Sequence, residues 1–287
     1  MSAVPAFFSA YQRRIESTLE RIVPPGGEVV QRSMAYTLHA PSKRVRPVLT
    51  LLAAELVGGD AARAIPAAAA VELVHTASLI LDDLPAMDDA PLRRGRTSNH
   101  REFGEAIAIL AAFGLLNAAF GTLAREYDGP STCRLTKLLS DAVGIDGLIG
   151  GQALDLLATE QEIGFETLER IHRGKTGTLF SAAAVSGAVV AGGNAEDMAR
   201  LDAFARNLGL AFQIVDDLLD VQGDPAETGK AVRTDAKKTT FVSFSGVAGA
   251  RQLAIELCGT ADATLAAFGH RAQPLRELSS FVARRSA

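Results

Sequence analysis

The sequence predicts an all-α protein folded as one domain over residues 1–287. Three observations carry this prediction. Ala, Leu, Glu and Arg, all strong helix formers, are abundant. No convincing alternation of apolar and polar residues marks a half-buried strand. Glycine and proline punctuate the apolar segments at Pro24-Pro25-Gly26-Gly27, Gly58-Gly59-Asp60, Asp128-Gly129-Pro130, Gly192-Gly193-Asn194 and Gly223-Asp224-Pro225. These breaks leave about ten helices joined by short loops, with no long linker, internal repeat or low-complexity tract.

Composition narrows the class further. Of 287 residues, 48% are hydrophobic and 22% charged, the balance of a globular chain that can bury a sizeable core. A net charge of −4 without a basic block argues against nucleic acid as the partner. Two cysteines, Cys133 and Cys258, exclude a disulfide framework and fit a reducing compartment. Residues 1–8 lack the basic start and long apolar core of a secretory signal, so a cytoplasmic location is expected. Two uncharged stretches, 106–124 and 176–195, approach the length that spans a bilayer. Both are rich in Ala and Gly and adjoin charged motifs that need a water-facing cleft. They are therefore expected as buried core helices, without stable membrane insertion.

In chain order, the first segment that carries chemistry is Pro41-Ser42-Lys43-Arg44-Val45-Arg46-Pro47, ahead of the apolar run 48–56. Proline is favoured in a first helical turn, which places Lys43 and Arg46 near a helix N-terminus. Cations are unfavourable there unless an anion is bound. Next, an apolar segment with Leu73, Val74, Leu79, Ile80 and Leu81 runs into Asp82-Asp83-Leu84-Pro85-Ala86-Met87-Asp88-Asp89. Pro85 has no N–H for the carbonyl of Leu81, so the helix is expected to end or kink. A straight helix would hold Asp82 and Asp88 well apart in angle, whereas a broken terminus brings both toward one centre. His75, seven residues before Asp82, shares its helical face about 10.5 Å along the axis.

Basic groups follow. Leu92-Arg93-Arg94-Gly95-Arg96 comes directly after the acids, and Lys175-Thr176 opens the apolar stretch 176–195. A second acidic cluster, Gln213-Ile214-Val215-Asp216-Asp217-Leu218-Leu219-Asp220, has its polar groups at i, i+3, i+4 and i+7, one stripe of a helix. Stacked carboxylates repel and need compensation. Gly229-Lys230 and Lys237-Lys238 lie just beyond. Grouped carboxylates without dense His or Cys suit a hard cation, and Mg²⁺ characteristically bridges a few carboxylates to substrate phosphates. Either acidic cluster alone is a weak signal, since a solvated acidic face is the bland alternative. Two, each embedded in apolar helix and flanked by cations, read better as a diphosphate clamp.

The segment from His75 through Asp82, Asp83 and Asp88 to Arg93-Arg94-Gly95 resembles the first aspartate-rich motif of the trans-isoprenyl diphosphate synthases, with the four-residue spacing of bacterial farnesyl and geranylgeranyl diphosphate synthases. The 213–220 segment resembles the second motif, and Lys43-Arg44-Val45-Arg46-Pro47 the family's basic motif. The likeness runs in order from about residue 40 to 245. It implies a bundle of mostly antiparallel helices around a central cavity, usually a homodimer. It further implies an allylic diphosphate that ionises beside Mg²⁺, with three ions when diphosphate is bound. Isopentenyl diphosphate then attacks the carbocation and a proton leaves. Carried over by position, Asp82, Asp88 and Asp216 match metal ligands, with Asp83, Asp217 and Asp220 assisting by ligation or water contact. Lys43, Arg46, His75 and Arg94 match the isopentenyl diphosphate site. Arg93, Lys175, Thr176, Gln213 and Lys230 match the allylic site, with Lys238 near it.

The departures are few. Pro41-Ser42 replaces the family's usual Gly-Gly, Lys237 a common Gly, Leu81 a frequent His and Thr97 a frequent Pro. Ala77 and Ser78, about one turn deeper than Asp82, are small, where farnesyl synthases of this spacing class tend to carry an aromatic residue at the position of Ala77. The expected product is therefore geranylgeranyl diphosphate, with farnesyl diphosphate as the alternative and Val74 or Phe113 deeper in the pocket. A reading of another class comes from Glu72-Leu73-Val74-His75 and Glu169-Arg170-Ile171-His172, two Glu-x-x-His pairs of the kind that di-iron bundles use. It leaves both aspartate clusters and every basic motif unexplained.

Overall fold

Residues 6–222 and 238–284 are described in the computed structural model, and thirteen α-helices carry most of them. They are α1 (Ala6–Ile22), α2 (Val29–Leu38), α3 (Val45–Leu56), α4 (Ala61–Asp82), α5 (Asn99–Phe103), α6 (Glu105–Glu126) and α7 (Gly129–Val143). After them come α8 (Leu148–Ala158), α9 (Phe165–His172), α10 (Thr178–Val190), α11 (Ala195–Gln222), α12 (Phe241–Thr264) and α13 (Gln273–Ala283). The glycine- and proline-rich breaks within the described residues mark helix boundaries, as expected, with Gly129 and Pro130 forming the first turn of α7; the break at 223–225 lies outside the described residues. One feature departs from an all-helical reading. Leu92–Arg93 (β1) and Arg96–Thr97 (β2) pair antiparallel around Arg94-Gly95, whose φ values of 53° and 74° suit a tight hairpin turn. Strands of two residues are too short to leave an alternating pattern.

Helix α4 is the axis of the core, packed against α1, α2, α3, α6, α7 and α10. Asp60 caps it by accepting the N–H of Ala62 at 2.8 Å. Pro66 interrupts its hydrogen-bond ladder, and the hydroxyl of Tyr127 bridges the gap. That hydroxyl accepts from Ala67 N–H at 3.1 Å and donates to the Arg63 carbonyl at 2.7 Å. Ala64, Ala67, Ala68, Ala69, Ala70 and Ala77 on α4 are small and buried, which lets neighbouring helices approach closely.

The two apolar stretches behave differently. Helix α10 is buried along almost its whole length, as a core helix should be. Helix α6 is not: Ile109, Leu110 and Phe113 are exposed, Phe113 at 64%. The reading of 106–124 as a wholly buried helix is corrected accordingly, and Phe113 cannot wall an interior pocket of its own chain. By length and composition α4 and α6 both suffice to cross a membrane, and α4 is mostly buried within the bundle.

Candidate active site

The first acidic cluster sits where α4 stops. Without an N–H at Pro85, the carbonyl of Leu81 accepts from Leu84 N–H at 3.2 Å instead, and the chain folds back on itself. Asp88 N–H then reaches the carbonyl of Asp82 at 2.9 Å, so a backbone bond sets the two acids side by side. Asp83 turns the other way: it is 1% exposed and accepts from Arg93 Nε at 2.8 Å. That bond, with the nearby acids, outweighs burial and holds the Arg93 guanidinium above its usual range.

Opposite this turn lies a five-residue π-helical segment, 173–177, between α9 and α10. Such bulges recur at functional sites because they re-aim consecutive residues. Here the consecutive residues reach both acidic motifs. Lys175 Nζ lies 3.9 Å from Asp82 Oδ2, while Thr176 Oγ1 donates to Gln213 Oε1 at 3.2 Å. Lys175 also donates to Asp155 Oδ2 at 2.9 Å, and Lys238 bridges the same oxygen at 3.1 Å to Asp88 Oδ1 at 3.0 Å. Burial opposes the charge of both lysines, but Asp82, Asp155 and Asp88 outweigh it and hold them above the ordinary lysine range. Burial raises Asp82 above the ordinary carboxylate range, partly offset by Lys175. Asp155 is also desolvated, yet its two lysines push it below that range.

Asp155, on α8, is a site residue that the sequence reading missed. Its one signal was a single acid in the otherwise uncharged run 148–158. It reaches Lys175 because α8 and the π-segment touch backbone to backbone: a Cβ on Gly151 would stand 2.2 Å from Lys175 N, and one on Gly174 3.0 Å from Gly147 O.

On α11 the apolar positions Leu210, Ile214, Val215 and Leu218 are buried as expected, and Gln213, Asp216 and Asp220 form a half-buried stripe. Asp217 is buried instead. Its Oδ1 accepts from Gln213 Nε2 and its Oδ2 from Phe241 N–H, both at 3.1 Å, tying α11 to the first turn of α12. Thr176, Gln213, Asp217 and the start of α12 thus form one hydrogen-bonded chain.

A second basic group gathers around His75. Arg46 Nη1 lies 3.3 Å from His75 Nε2, with its guanidinium 4.5 Å from the Phe180 ring centroid and 5.8 Å from that of Phe212. Burial, then Arg46, Arg94, Arg44 and Arg93, keeps His75 well below the ordinary histidine pKa and hence neutral near pH 7. Lys43 Nζ is 5.4 Å from the Phe281 ring centroid on α13. Gln12 Nε2 donates to the carbonyls of Ser42 and Lys43 at 3.3 and 3.1 Å, holding the loop where Pro41-Ser42 replaces two glycines. Ala77 is fully buried, and Ser78 Oγ donates to the His75 carbonyl at 2.8 Å. Lys230 and Lys237 lie outside the described residues.

The di-iron reading does not survive this geometry. Glu72 is taken up by arginines, and Glu169 by Arg173 at 2.8 Å on an exposed face. The two histidines face different surroundings, His75 beside Arg46 and His172 against Phe241 with ring centroids 5.3 Å apart.

Comparison with known proteins gives the family. A profile described as polyprenyl synthetase matches residues 27–256. A dimethylallyltranstransferase of Fischerella ambigua is 42% identical over 99% of this chain and 84% of its own length. A chloroplastic geranylgeranyl pyrophosphate synthase of Arabidopsis thaliana is 44% identical over 88% of this chain and 74% of its own. Among solved structures, a geranyltransferase of Helicobacter pylori complexed with magnesium and isoprenyl diphosphate superposes with a TM-score of 0.86 at 30% identity, covering 99% of this chain and 97% of that one. With paired aspartate motifs, their lysines and this match over most of its length, the chain belongs to the polyprenyl synthetase family and is a trans-prenyl diphosphate synthase.

Proposed function

We propose that this enzyme joins isopentenyl diphosphate to allylic diphosphates and releases chiefly geranylgeranyl diphosphate. The observation that carries the reaction is the π-segment, whose adjacent Lys175 and Thr176 engage the two acidic motifs. A substrate diphosphate bound there meets cations from three directions, Arg93, Lys175 and Lys238. Those groups are fixed before the substrate arrives, so no reorganisation is needed as charge develops on the leaving group. Arg93 is aimed by Asp83, and the α12 end of the site by Asp217, so we read these two acids as positioning groups. Lys230 is assigned to the same allylic diphosphate by sequence position alone.

Asp82, Asp88 and Asp216, with Asp220 in support, offer only carboxylate oxygens, the donor set that Mg²⁺ prefers, and no soft ligand competes among them. When bound, Mg²⁺ supplies neutralisation of the departing pyrophosphate, with three ions expected. The protein's own part is to hold the isopentenyl diphosphate with Lys43, Arg46, His75 and Arg94, and to orient its double bond toward the allylic carbon. A neutral His75 can donate to a phosphate oxygen through one ring nitrogen while the other faces Arg46. No protein nucleophile is needed: the allylic C–O bond breaks, the new C–C bond forms from the double-bond electrons, and a proton is lost.

Product length is supported by Ala77, small and fully buried one turn below Asp82. Incubating the purified enzyme with Mg²⁺, isopentenyl diphosphate and an allylic primer should give mainly twenty-carbon product. Ala77→Tyr should shift that product to fifteen carbons, because the ring fills the room of the fourth isoprene unit. A wild type that stops at fifteen carbons, or an unchanged product in the variant, would defeat the pocket argument.

The outward face of α6, with Ile109, Leu110 and Phe113, is read as the contact with a second copy in a cytoplasmic homodimer. Sedimentation should therefore report twice 30.1 kDa for the wild type and a shift toward monomer for Phe113→Glu. A wild type that sediments as a monomer rejects this.

A further inference from the structure

Glu72 stands one turn before His75 on α4 and is 1% exposed. A carboxylate that deep is costly unless it is paired. Its partners come from two separate loops. Arg44 Nη1 donates to Glu72 Oε1 at 2.6 Å, and Arg94 Nη2 lies 3.5 Å from the same oxygen.

The two arginines differ in what remains for a ligand. Arg44 is enclosed, with Nε donating to Glu16 Oε1 at 3.0 Å and Nη2 to the Leu38 carbonyl at 2.5 Å. Each of its guanidinium nitrogens is therefore spent inside the protein, although Arg44 lies between Lys43 and Arg46 in the basic motif. Arg94 keeps 12% of its side chain exposed, and besides its pairing with Glu72 its Nη1 donates to the Thr37 carbonyl at 3.3 Å. Both residues have left-handed backbones, φ 50° for Arg44 and 53° for Arg94, a conformation that tertiary contacts must hold in place. The two guanidiniums also repel each other. The shared oxygen of Glu72 is what lets them stand together.

We infer that Glu72, fixed by Arg44, is a positioning residue that aims Arg94 at the diphosphate of isopentenyl diphosphate. This rests on the proposed function. Without the carboxylate, Arg94 is pushed off by Arg44 and must be reordered each time the substrate binds. The allylic site does not depend on this contact, because its cations are held by Asp82, Asp83, Asp88 and Asp155.

The test is steady-state kinetics of Glu72→Gln and Arg94→Ala, singly and together, with Mg²⁺ and both substrates. Each single change should raise KM for isopentenyl diphosphate about 10- to 100-fold, the scale of a lost charge-assisted contact, and leave the allylic KM within about threefold. In the Arg94→Ala background, Glu72→Gln should add no more than about threefold, since the two act as one unit. Glu72→Asp keeps the buried charge and guards against a variant that does not fold; it should show the same split at about 3- to 10-fold. Equal changes in both Michaelis constants, or multiplied effects in the double variant, overturn the inference. A wild type without prenyl transfer removes the proposed function and the inference with it, whereas an active wild type with unsplit variants removes the inference alone.

Discussion

Asp82→Ala and Asp216→Ala should each lower turnover by several orders of magnitude while the helical fold survives. Asp82 ends α4 beside Asp88, with Lys175 3.9 Å away. Removing its carboxylate takes away one of the acids assigned to the metal, yet Lys175 keeps Asp155 at 2.9 Å and is not left buried and unpaired. Asp216 lies on the half-buried stripe of α11, away from the Asp217 contacts that tie α11 to α12. Loss of a single preorganised electrostatic group costs about 10²–10³ in rate, and a metal-holding carboxylate is expected to cost more. Circular dichroism should change little. Near-normal turnover of either variant in Mg²⁺ would refute the assignment of these acids.

Both aspartate motifs could be read from the sequence because carboxylates inside apolar helices must serve some purpose. Their individual roles could not. Asp82 and Asp83 are adjacent, as are Asp216 and Asp217, and spacing treats each pair alike. Which member turns inward depends on partners far away in the chain: Arg93 for Asp83, and the N–H of Phe241 for Asp217. Asp155 stayed hidden for a related reason, since a lone acid has no pattern and gains meaning only when Lys175 and Lys238 converge on it. The π-segment was equally illegible, because five residues of π-helix between two α-helices leave no trace in periodicity. Helix α6 shows the opposite failure. Its apolar length was plain, but sequence alone does not tell a face buried in its own bundle from one that faces outward.

Gly151→Ala should cost about 10²-fold in turnover and lower the thermal midpoint, although Gly151 touches no substrate group in the proposed mechanism. Its Cβ would lie 2.2 Å from Lys175 N, 2.7 Å from Gly174 C and 2.9 Å from Lys175 Cα, all of them backbone atoms. No rotamer change relieves a clash with backbone, so α8 and the π-segment must separate. Overpacking of this kind typically costs about 1–3 kcal/mol. The same separation stretches the 2.9 Å bond from Lys175 to Asp155 and shifts Lys175 relative to Asp82, which misplaces the cation that faces the leaving group. Gly259→Ala is the matched control. It lies on the exposed side of α12 with no atom within 4 Å of an added Cβ, so it should leave turnover unchanged and stabilise the helix by up to about 1 kcal/mol. If Gly151→Ala behaves like that control in both turnover and melting, the close contact between α8 and the π-segment does not set the geometry of Lys175 and Asp155.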